Sequence, residues 1–435
     1  MIRLANVLIV HSDAAVAEAF AARLSHNGYH AQVATSSEQA LPRLKGEHLD
    51  LIILGQAIAS ALDLTRSIRA TEDGRDVPLV LVADTVDAAL AEAALANDLD
   101  DAIAWDCNDA ELFARLRPLV RLATMRSELD QRVAVARAMG DDITAETDSQ
   151  GAAPPRILVV GQDLGEVSSW LADMGEAVRS QNLYDAESQL ETRNFDAAVV
   201  CVGTDPAPFL AFASQVRNNP RLFNLPLVML TTAPSIADDA YRHGVSRVLP
   251  RMADIALIRA VVKTLVRRQQ LRWAIRGALS KVLAGKSRDP MTGTYSRAFL
   301  DHYLQARLST AQAHQRHLAV VFFSIPNVDG VRSHFGDDAA EHLVQQLGQW
   351  ISGLLRAEDL NAYYAPNQFC VVLPDTPLVE ADVVMHRIAG VLAYTDFAVR
   401  EVYQPVKVWV QVGSTNAKPT DTAEQLLGRA RAKLD

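Results

Sequence analysis

Near its start the chain reads Asn6-Val7-Leu8-Ile9-Val10, and a similar run, Arg156-Ile157-Leu158-Val159-Val160, follows about 150 residues later. Each run is followed by a helical pattern and by two further apolar runs, the last of which comes directly after Pro78 or Pro226. Short apolar runs that alternate with helical patterns are typical of parallel strands buried on both faces of a sheet. The pattern predicts two copies of a doubly wound, flavodoxin-like α/β domain of five strands.

Both copies resemble CheY-like response regulator receiver domains, over about residues 1–125 and 155–270. A receiver accepts phosphate on an aspartate at the end of its central strand, beside carboxylates that hold Mg²⁺, a hydroxyl and a lysine. Here the acceptor position holds Gly55 in the first copy and Cys201 in the second. The positions of the acidic pair, the hydroxyl and the lysine hold His11, Ser12, Ala83 and Trp105 in the first copy, and Gly161, Gln162, Thr231 and Arg251 in the second. The resemblance therefore implies that neither copy is phosphorylated by the usual route, and that both serve as dimerisation and docking surfaces.

A helical pattern follows the first copy and ends in a polar stretch, residues 140–155, that is typical of a linker. A second helical pattern follows the second copy, and its polar face carries Arg259, Lys263, Arg267, Arg268, Arg272 and Arg276. A basic helix can contact membrane or nucleic acid, but a solvated stalk is the interpretation we favour. The predicted boundaries are 1–125 for the first receiver, 126–154 for a helical extension and linker, 155–270 for the second receiver, 271–287 for the stalk helix and 288–435 for the last domain.

The last domain opens with Asp289-Pro-Met-Thr-Gly-Thr-Tyr295-Ser-Arg297, which resembles the start of a GGDEF domain, the diguanylate cyclase fold. The resemblance implies an adenylyl-cyclase-like α/β sandwich. Its elements are expected in the order helix, strand (Leu318–Ser324), helix (Asp337–Leu355), hairpin around Ala365, helix (Glu380–Ala393) and strand (Lys407–Val412).

The family's catalytic hairpin reads Tyr-Gly-Gly-Asp-Glu-Phe, whereas this chain reads Tyr364-Ala365-Pro366-Asn367-Gln368-Phe369. Two glycines that allow close backbone approach and two carboxylates that hold Mg²⁺ are thus replaced. The family's other metal-binding aspartate aligns with Ser324, and its guanine-reading asparagine aligns with Arg332, while Glu341 stands where the family has an aspartate. The resemblance implies a protein that is not an enzyme and holds no metal or cofactor. A slow cyclase with an unusual metal site is the alternative.

Arg356 and Asp359 are three residues apart, which places them on one face at the end of the predicted helix. Their spacing from the hairpin resembles the RxxD product-binding site of the GGDEF family, and Arg387 aligns with a second arginine of that site. Arginine binds phosphates and the guanine O6 and N7 edge bidentately and stacks on guanine, and a carboxylate accepts from the guanine N–H groups. We therefore expect cyclic di-GMP as the ligand; a solvated ion pair without a ligand is the alternative.

Composition excludes several classes of function. The net charge of −10 argues against general affinity for nucleic acid or anionic membrane. No apolar run approaches the roughly 18 residues of a membrane span. Cys107, Cys201 and Cys370 lie far apart, which argues against a disulfide framework or zinc site and favours a reducing cytosol. Cys201 can be a redox sensor, but a buried cysteine at a strand end more often packs as a small hydrophobic side chain.

Two receivers followed by a GGDEF domain that lacks its catalytic residues resemble regulators of the alphaproteobacterial cell cycle. That resemblance implies a homodimeric cyclic di-GMP effector of two-component signalling, cytoplasmic and located at a cell pole. It also implies protein partners, namely an RcdA-like adaptor and the regulator CtrA, which is recruited for degradation by the protease ClpXP. Two alternatives remain at this stage: a residual diguanylate cyclase, and a purely structural dimerisation scaffold with a vestigial ligand site.

Overall fold

A computed structural model describes residues 4–45, 48–55, 61–144, 147, 153–219, 221–400 and 402–434. Much of the predicted linker, residues 145, 146 and 148–152, lies outside this range. The three cysteines are buried and unpaired. Among the described residues, no helix combines the length and apolar character needed to cross a membrane.

The first apolar repeat forms a five-stranded parallel sheet with the strand order 2-1-3-4-5. Strands β1, β3 and β4 are buried along their whole length, because helices cover both faces of the sheet. The doubly wound α/β fold predicted from the apolar runs is confirmed here. The elements are β1 (Asn6–Val10), α1 (Ala14–His26), β2 (His30–Ala34), α2 (Ser37–Leu44), β3 (Leu51–Gly55), α3 (Ala61–Arg69), β4 (Leu79–Ala83), α4 (Ala88–Ala96), β5 (Asp101–Ala104) and α5 (Asp109–Ala138).

The second repeat forms another five-stranded parallel sheet, whose order β7-β6-β8-β9-β10 reproduces the order of the first. Its central strand β8 is fully buried. The elements are β6 (Arg156–Gly161), α6 (Leu164–Leu171), β7 (Glu176–Ser180), α7 (Leu183–Thr192), β8 (Ala197–Cys201), α8 (Ala207–Asn218), β9 (Leu227–Thr231), α9 (Ala237–Arg242), β10 (Arg247–Pro250) and α10 (Ile255–Val282). The two sheets belong to one compact unit, and α5 and α10 extend beyond it after Ala123 and Ala274.

The predicted solvated basic face of α10 is wrong for two of its arginines. Arg268 and Arg272 are each only 5% exposed, and Arg267 donates to the carbonyls of Leu95 and Leu99 in the first repeat. The helix packs within the unit formed by the two sheets, so its polar stripe meets protein there. Periodicity along one helix cannot reveal a second packing partner. Arginine tolerates burial against such a partner because its long apolar stem can pack there. Lys263 and Arg276 are exposed, as expected.

The second unit contains the C-terminal parts of α5 and α10 and a four-stranded antiparallel sheet, in the order β12-β13-β11-β14. Helices α13 and α14 bury their apolar faces on the sheet. The elements are α11 (Arg297–Ala313), β11 (Leu318–Ser324), α12 (Val328–Phe335), α13 (Asp337–Leu354), β12 (Leu360–Ala365), β13 (Gln368–Pro374), α14 (Leu378–Tyr394), β14 (Gln411–Asn416) and α15 (Ala423–Arg431).

The last strand lies later in the chain than the predicted Lys407–Val412. Pairing with β11 begins where Gln411 lies opposite Ser324 and continues to Asn416. The residues before it are held differently: the Asn327 side chain donates to the Lys407 carbonyl (2.9 Å) and accepts from the Trp409 amide (3.0 Å). These side-chain hydrogen bonds compete with the ladder for the backbone, and the apolar run alone gave no sign of them.

Two buried carboxylates join the C-terminal part of α5 to this domain. Glu128 is fully buried; it accepts from the Tyr303 hydroxyl (2.6 Å) and pairs with Arg307 (2.8 Å) and Arg132 (3.3 Å). The second carboxylate, Asp375, pairs with Arg307 (3.2 Å) and Arg316 (2.9 Å) and accepts from the Thr124 hydroxyl (2.9 Å). Burial opposes ionisation of Asp375, but the two arginines hold the pKa of its carboxyl below the ordinary value.

We predict that Glu128→Gln destabilises the second unit, because it leaves the buried Arg132 guanidinium without its carboxylate and removes one of the two carboxylates that pair with Arg307. Breaking a buried ion pair costs about 3 kcal/mol or more, which corresponds to about 100-fold faster hydrogen exchange in α11 and β11. Asp396→Asn, which breaks an exposed ion pair with Lys407 in the same unit, is the matched control and should change exchange little. Equal exchange rates in the two variants would contradict the assigned role of Glu128.

Candidate functional site

Aromatic side chains surround Gly55, the residue that aligns with the phosphoacceptor in the first domain. Gly55 ends β3, and the rings of His11 and Trp105 meet beside it edge to face, with centroids 5.1 Å apart. Trp105 also packs edge-on against Phe20 at 4.9 Å. A Cβ atom at position 55 would lie 2.1 Å from Cδ2 of His11, so a side chain there requires the His11 ring to move. Ala83, at the predicted hydroxyl position, ends the neighbouring strand β4 and is buried.

At the corresponding strand end of the second domain, a buried cysteine lies near a threonine and a partly exposed ion pair. Cys201 ends β8, is fully buried, and burial raises the pKa of its thiol, which favours a packing role over a redox role. Thr231 ends β9, and its hydroxyl accepts from the Ala233 amide (3.0 Å). Across the same end of the sheet, Arg251 pairs with Asp163 at 2.9 Å.

Gly161 occupies a backbone position that excludes other residues. Its φ is +111°, and a Cβ atom added there would lie 2.1 Å from the carbonyl oxygen of Cys201. The adjacent amide of Gln162 donates to that same carbonyl at 3.1 Å. An acidic residue at position 161 would therefore need a different backbone course between β6 and the following helix.

The hairpin between β12 and β13 turns at Pro366 and Asn367. Proline at the second position and a residue with positive φ at the third, here Asn367 at +59°, fit a type II turn. The Asn367 side chain is buried and donates to Asp329 Oδ1 at 2.7 Å, while its carbonyl accepts from the Ile325 amide at 2.9 Å. The position that aligns with a metal-binding carboxylate thus holds an amide bonded to a neighbouring carboxylate.

The other residues that align with catalytic positions lie on both sides of this hairpin. Ser324 is buried at the end of β11 and lies opposite Gln368 in the antiparallel pair. Arg332 pairs with Asp337 at the surface (2.8 Å), and Glu341 is exposed on α13. Within the described ranges, no group of three or more His, Cys, Asp or Glu side chains is arranged to hold a metal ion.

Arg356 and Asp359 share a turn, so the prediction that they share a helix face is wrong. Helix α13 ends at Leu354 and β12 begins at Leu360, which leaves five residues to reverse the chain. The Asp359 amide donates to the Arg356 carbonyl (3.2 Å), and the Asp359 carboxylate accepts from the Arg356 amide (2.9 Å). The Arg356 guanidinium takes no part in either bond, so the turn forms without it.

The structure brings Arg387 to the same place. It projects from α14, is exposed, and donates to the carbonyl of Leu354 at 3.0 Å. That carbonyl belongs to the last turn of α13, where backbone acceptors lack helical partners. Arg387, Arg356 and Asp359 are therefore assembled from α14 and from the turn after α13.

A cavity of about 180 Å³ lies beside this turn. Arg356 and Asp359 contribute to its wall, together with Arg132 from α5 and Arg276 from α10. The Arg132 guanidinium donates to the carbonyls of Ala357 and Glu358 inside the turn. Sequence reasoning missed Arg132; the only signal was a Glu/Arg pair four residues apart on a helix, which is common on solvated surfaces.

Two family models match the chain. The model described as diguanylate cyclase, GGDEF domain, matches residues 286–435, and the response regulator receiver domain model matches residues 7–117. The GGDEF domain of DgcB from Caulobacter crescentus, solved in complex with c-di-GMP, is 15% identical with a TM-score of 0.33, covering 34% of this chain and 85% of that one. The FimX GGDEF domain from Pseudomonas aeruginosa is 16% identical with a TM-score of 0.33, covering 34% of this chain and 91% of that one.

One curated relative covers nearly the whole chain. Response regulator PleD from Caulobacter vibrioides is 25% identical over 439 residues, which span 98% of this chain and 95% of PleD. The probable diguanylate cyclase DgcC from Escherichia coli is 24% identical over 102 residues, or 23% of this chain and 28% of DgcC. The chain is therefore similar to PleD over nearly its whole length, and it contains one region that matches the receiver model and one that matches the GGDEF model.

Proposed function

We propose that this chain is a PopA-like cyclic di-GMP effector, which binds the dinucleotide at the turn after α13 and does not synthesise it. The observation that carries the proposal is the assembly of Arg356, Asp359 and Arg387 at one end of α13. Two arginines and a carboxylate suit a ligand that presents two phosphates and two guanine edges. The cavity beside Arg356 and Asp359 gives part of that ligand a place to enter.

The hairpin supports the absence of cyclase activity. Joining two GTP molecules needs metal ions that bridge phosphate oxygens, and Mg²⁺ prefers carboxylates as protein ligands. Ser324, Asn367 and Gln368 offer neutral oxygens at the aligned positions, and Asn367 is already bonded to Asp329. Pro366 and Ala365 replace the glycines that would let a nucleotide approach the backbone.

The two five-stranded domains fit a role in assembly. We assign the second as another receiver, because it has the strand order of the first. Neither is phosphorylated by the usual route in this proposal, since Gly55 and Cys201 stand at the acceptor positions. The domains then provide surfaces for a homodimer and for partners. By resemblance to PopA, these partners are an RcdA-like adaptor and CtrA, delivered to ClpXP at a cell pole.

A second candidate is a structural scaffold whose ligand site is vestigial. It is favoured by the contacts that give two site residues local roles: Asp359 stabilises the turn, and Arg387 caps α13. Arg356 distinguishes the two candidates, because its side chain contributes to neither contact.

Arg356→Ala should weaken cyclic di-GMP binding at least about 10-fold, because one charge-assisted hydrogen bond contributes roughly 1.5–3 kcal/mol. The turn itself should persist, since the Asp359 carboxylate accepts from the Arg356 backbone amide and not from its side chain. Isothermal titration calorimetry on the full chain measures the change. Lys407→Ala, which removes an exposed positive charge of the same domain, is the control. Absence of binding by the natural sequence, or equal affinity in the Arg356 variant, would favour the scaffold.

Incubation of the purified chain with GTP and Mg²⁺ or Mn²⁺ should yield no cyclic di-GMP above a protein-free control, as followed by chromatography. An active diguanylate cyclase assayed in parallel shows that the conditions support the reaction. Product that disappears in a Ser324→Ala variant would establish residual cyclase activity and contradict the proposal.

Treatment with acetyl phosphate and Mg²⁺ should add no phosphoryl group to the chain, as judged by intact-protein mass spectrometry. Gly55→Asp alone should remain unmodified and lower the melting temperature, because its side chain collides with His11. The double variant His11→Ala/Gly55→Asp should recover part of the lost stability. A phosphoryl adduct on the natural sequence would show that a different acceptor operates.

A further inference from the structure

Helix α10 contributes one side of the cavity beside the turn after α13. Arg276, Leu279 and Ser280 line the wall, and Leu283, which also lines it, follows directly after the helix. Residues at such spacings share one side of a helix, so this part of the wall is continuous. Earlier turns of the same uninterrupted helix pack apolar side chains in the core of the second five-stranded domain. The helix that forms part of the wall is therefore also part of that domain.

The wall of this cavity carries more positive than negative charge. Arg132, Arg276 and Arg356 line it, whereas Asp359 is the one carboxylate among the described residues of the wall. Arg132 already pairs with the buried Glu128 and donates to backbone carbonyls of the turn. When Glu128 is counted with Arg132, the wall still has two guanidinium groups for one carboxylate. This excess favours an anionic ligand.

We propose that Arg276 is a further ligand-binding residue of this site, so that cyclic di-GMP bridges α10 and the turn after α13. The inference rests on the proposed function and adds a second structural element to the ligand site. Arginine binds a phosphate, or the O6 and N7 edge of a guanine, through two parallel N–H groups. Cyclic di-GMP presents two phosphates and two guanines, so Arg276 and Arg356 bind it at the same time without competing.

The size of the cavity indicates which part of the ligand enters it. Pockets that enclose a whole drug-sized ligand have volumes of about 300 Å³ or more, whereas this cavity has about 180 Å³. One phosphate or one guanine therefore enters, and the rest of the dinucleotide stays outside. Arg276 and Ser280 lie one helical turn apart on the wall, so a guanidinium and a hydroxyl are available to the part that enters.

Such a bridge connects ligand binding to a helix that both compact units contain. Along α10, residues up to Ala274 belong to the unit of the two five-stranded sheets, and residues from Ile275 belong to the other. Arg276 lies directly after that boundary. A ligand bound to both Arg276 and the turn restricts the motion of this part of α10, and by reciprocity a change that restricts the helix there alters the affinity for the ligand.

Isothermal titration calorimetry of the full chain with cyclic di-GMP tests the proposal. Arg276→Ala should weaken binding about 10-fold, because it removes a charge-assisted hydrogen bond to the ligand. Arg276→Lys should weaken binding less, since it keeps the charge and loses the parallel N–H groups. Lys281→Ala removes an exposed positive charge of the same helix that does not line the cavity, so it should leave the affinity unchanged. Equal affinities of Arg276→Ala and the natural sequence would overturn the proposal.

Comparison with Arg356→Ala separates this proposal from the proposed function. If Arg356→Ala loses affinity and Arg276→Ala does not, the site binds the dinucleotide without α10, and this proposal alone fails. If the natural sequence binds no cyclic di-GMP, the proposed function fails and this proposal fails with it.

Hydrogen exchange followed by mass spectrometry gives a second readout, which a merely structural role of Arg276 would not change. Saturating cyclic di-GMP should slow exchange several-fold in residues 276–282 and in the turn, both in the natural sequence and in Lys281→Ala. At equal saturation, Arg276→Ala should keep the protection of the turn and lose that of α10. Protection confined to the turn in the natural sequence would contradict the bridge.

Discussion

The carboxylate of Glu128 is fully buried and is shared by the Tyr303 hydroxyl, Arg307 and Arg132. Burial and the neighbouring carboxylate raise the pKa of Tyr303 well above its ordinary value, so its hydroxyl stays protonated and donates. Through these contacts the C-terminal part of α5 becomes part of the GGDEF-like domain. Arg132 extends the network by donating to the carbonyls of Ala357 and Glu358. These hydrogen bonds connect the turn that carries the candidate ligand site to the buried charges around Glu128.

The positions that align with catalytic residues are filled rather than left empty. His11 and Trp105 pack together beside Gly55, and Asn367 is bonded to Asp329 in the hairpin. In a cluster of carboxylates without its metal ion, the negative charges repel one another and destabilise the fold. Neutral packed groups at the same positions remove that repulsion. The same replacements that oppose metal binding therefore favour a stable domain.

Most of the fold could be predicted from the sequence, because the patterns that specify its strands and helices are local. Uninterrupted apolar runs between turn residues favour buried strands, and Leu51–Leu54 and Leu318–Ser324 both lie in strands as expected. The errors share one physical origin, namely contacts between distant segments. The burial of Arg268 depends on a neighbouring domain, and the delayed start of β14 depends on the side chain of Asn327.

Arg356, Asp359 and Arg387 became candidates through resemblance to the RxxD site of the GGDEF family, and the structure places Arg387 against the Leu354 carbonyl, close to the turn that holds the other two. That alignment left their geometry open. It could not show that Asp359 folds back onto the Arg356 amide, because a helix end and a turn place residues three apart at similar distances. Arg132 escaped notice because its contacts with the turn join residues more than 200 positions apart.

The hydrogen bond from Arg387 to the carbonyl of Leu354 affects how any ligand could bind beside this turn. If Arg387 contacts a ligand as proposed, this hydrogen bond already holds its side chain in place, which reduces the entropy lost when the side chain is ordered. A ligand that accepts a hydrogen bond from Arg387 must, however, displace the bond to the Leu354 carbonyl, which leaves that carbonyl at the end of α13 without its donor. The net binding free energy from Arg387 is then the difference between its bond to the ligand and its bond to the Leu354 carbonyl. Selectivity would therefore depend more on the aromatic faces and donor groups of the ligand than on its charge.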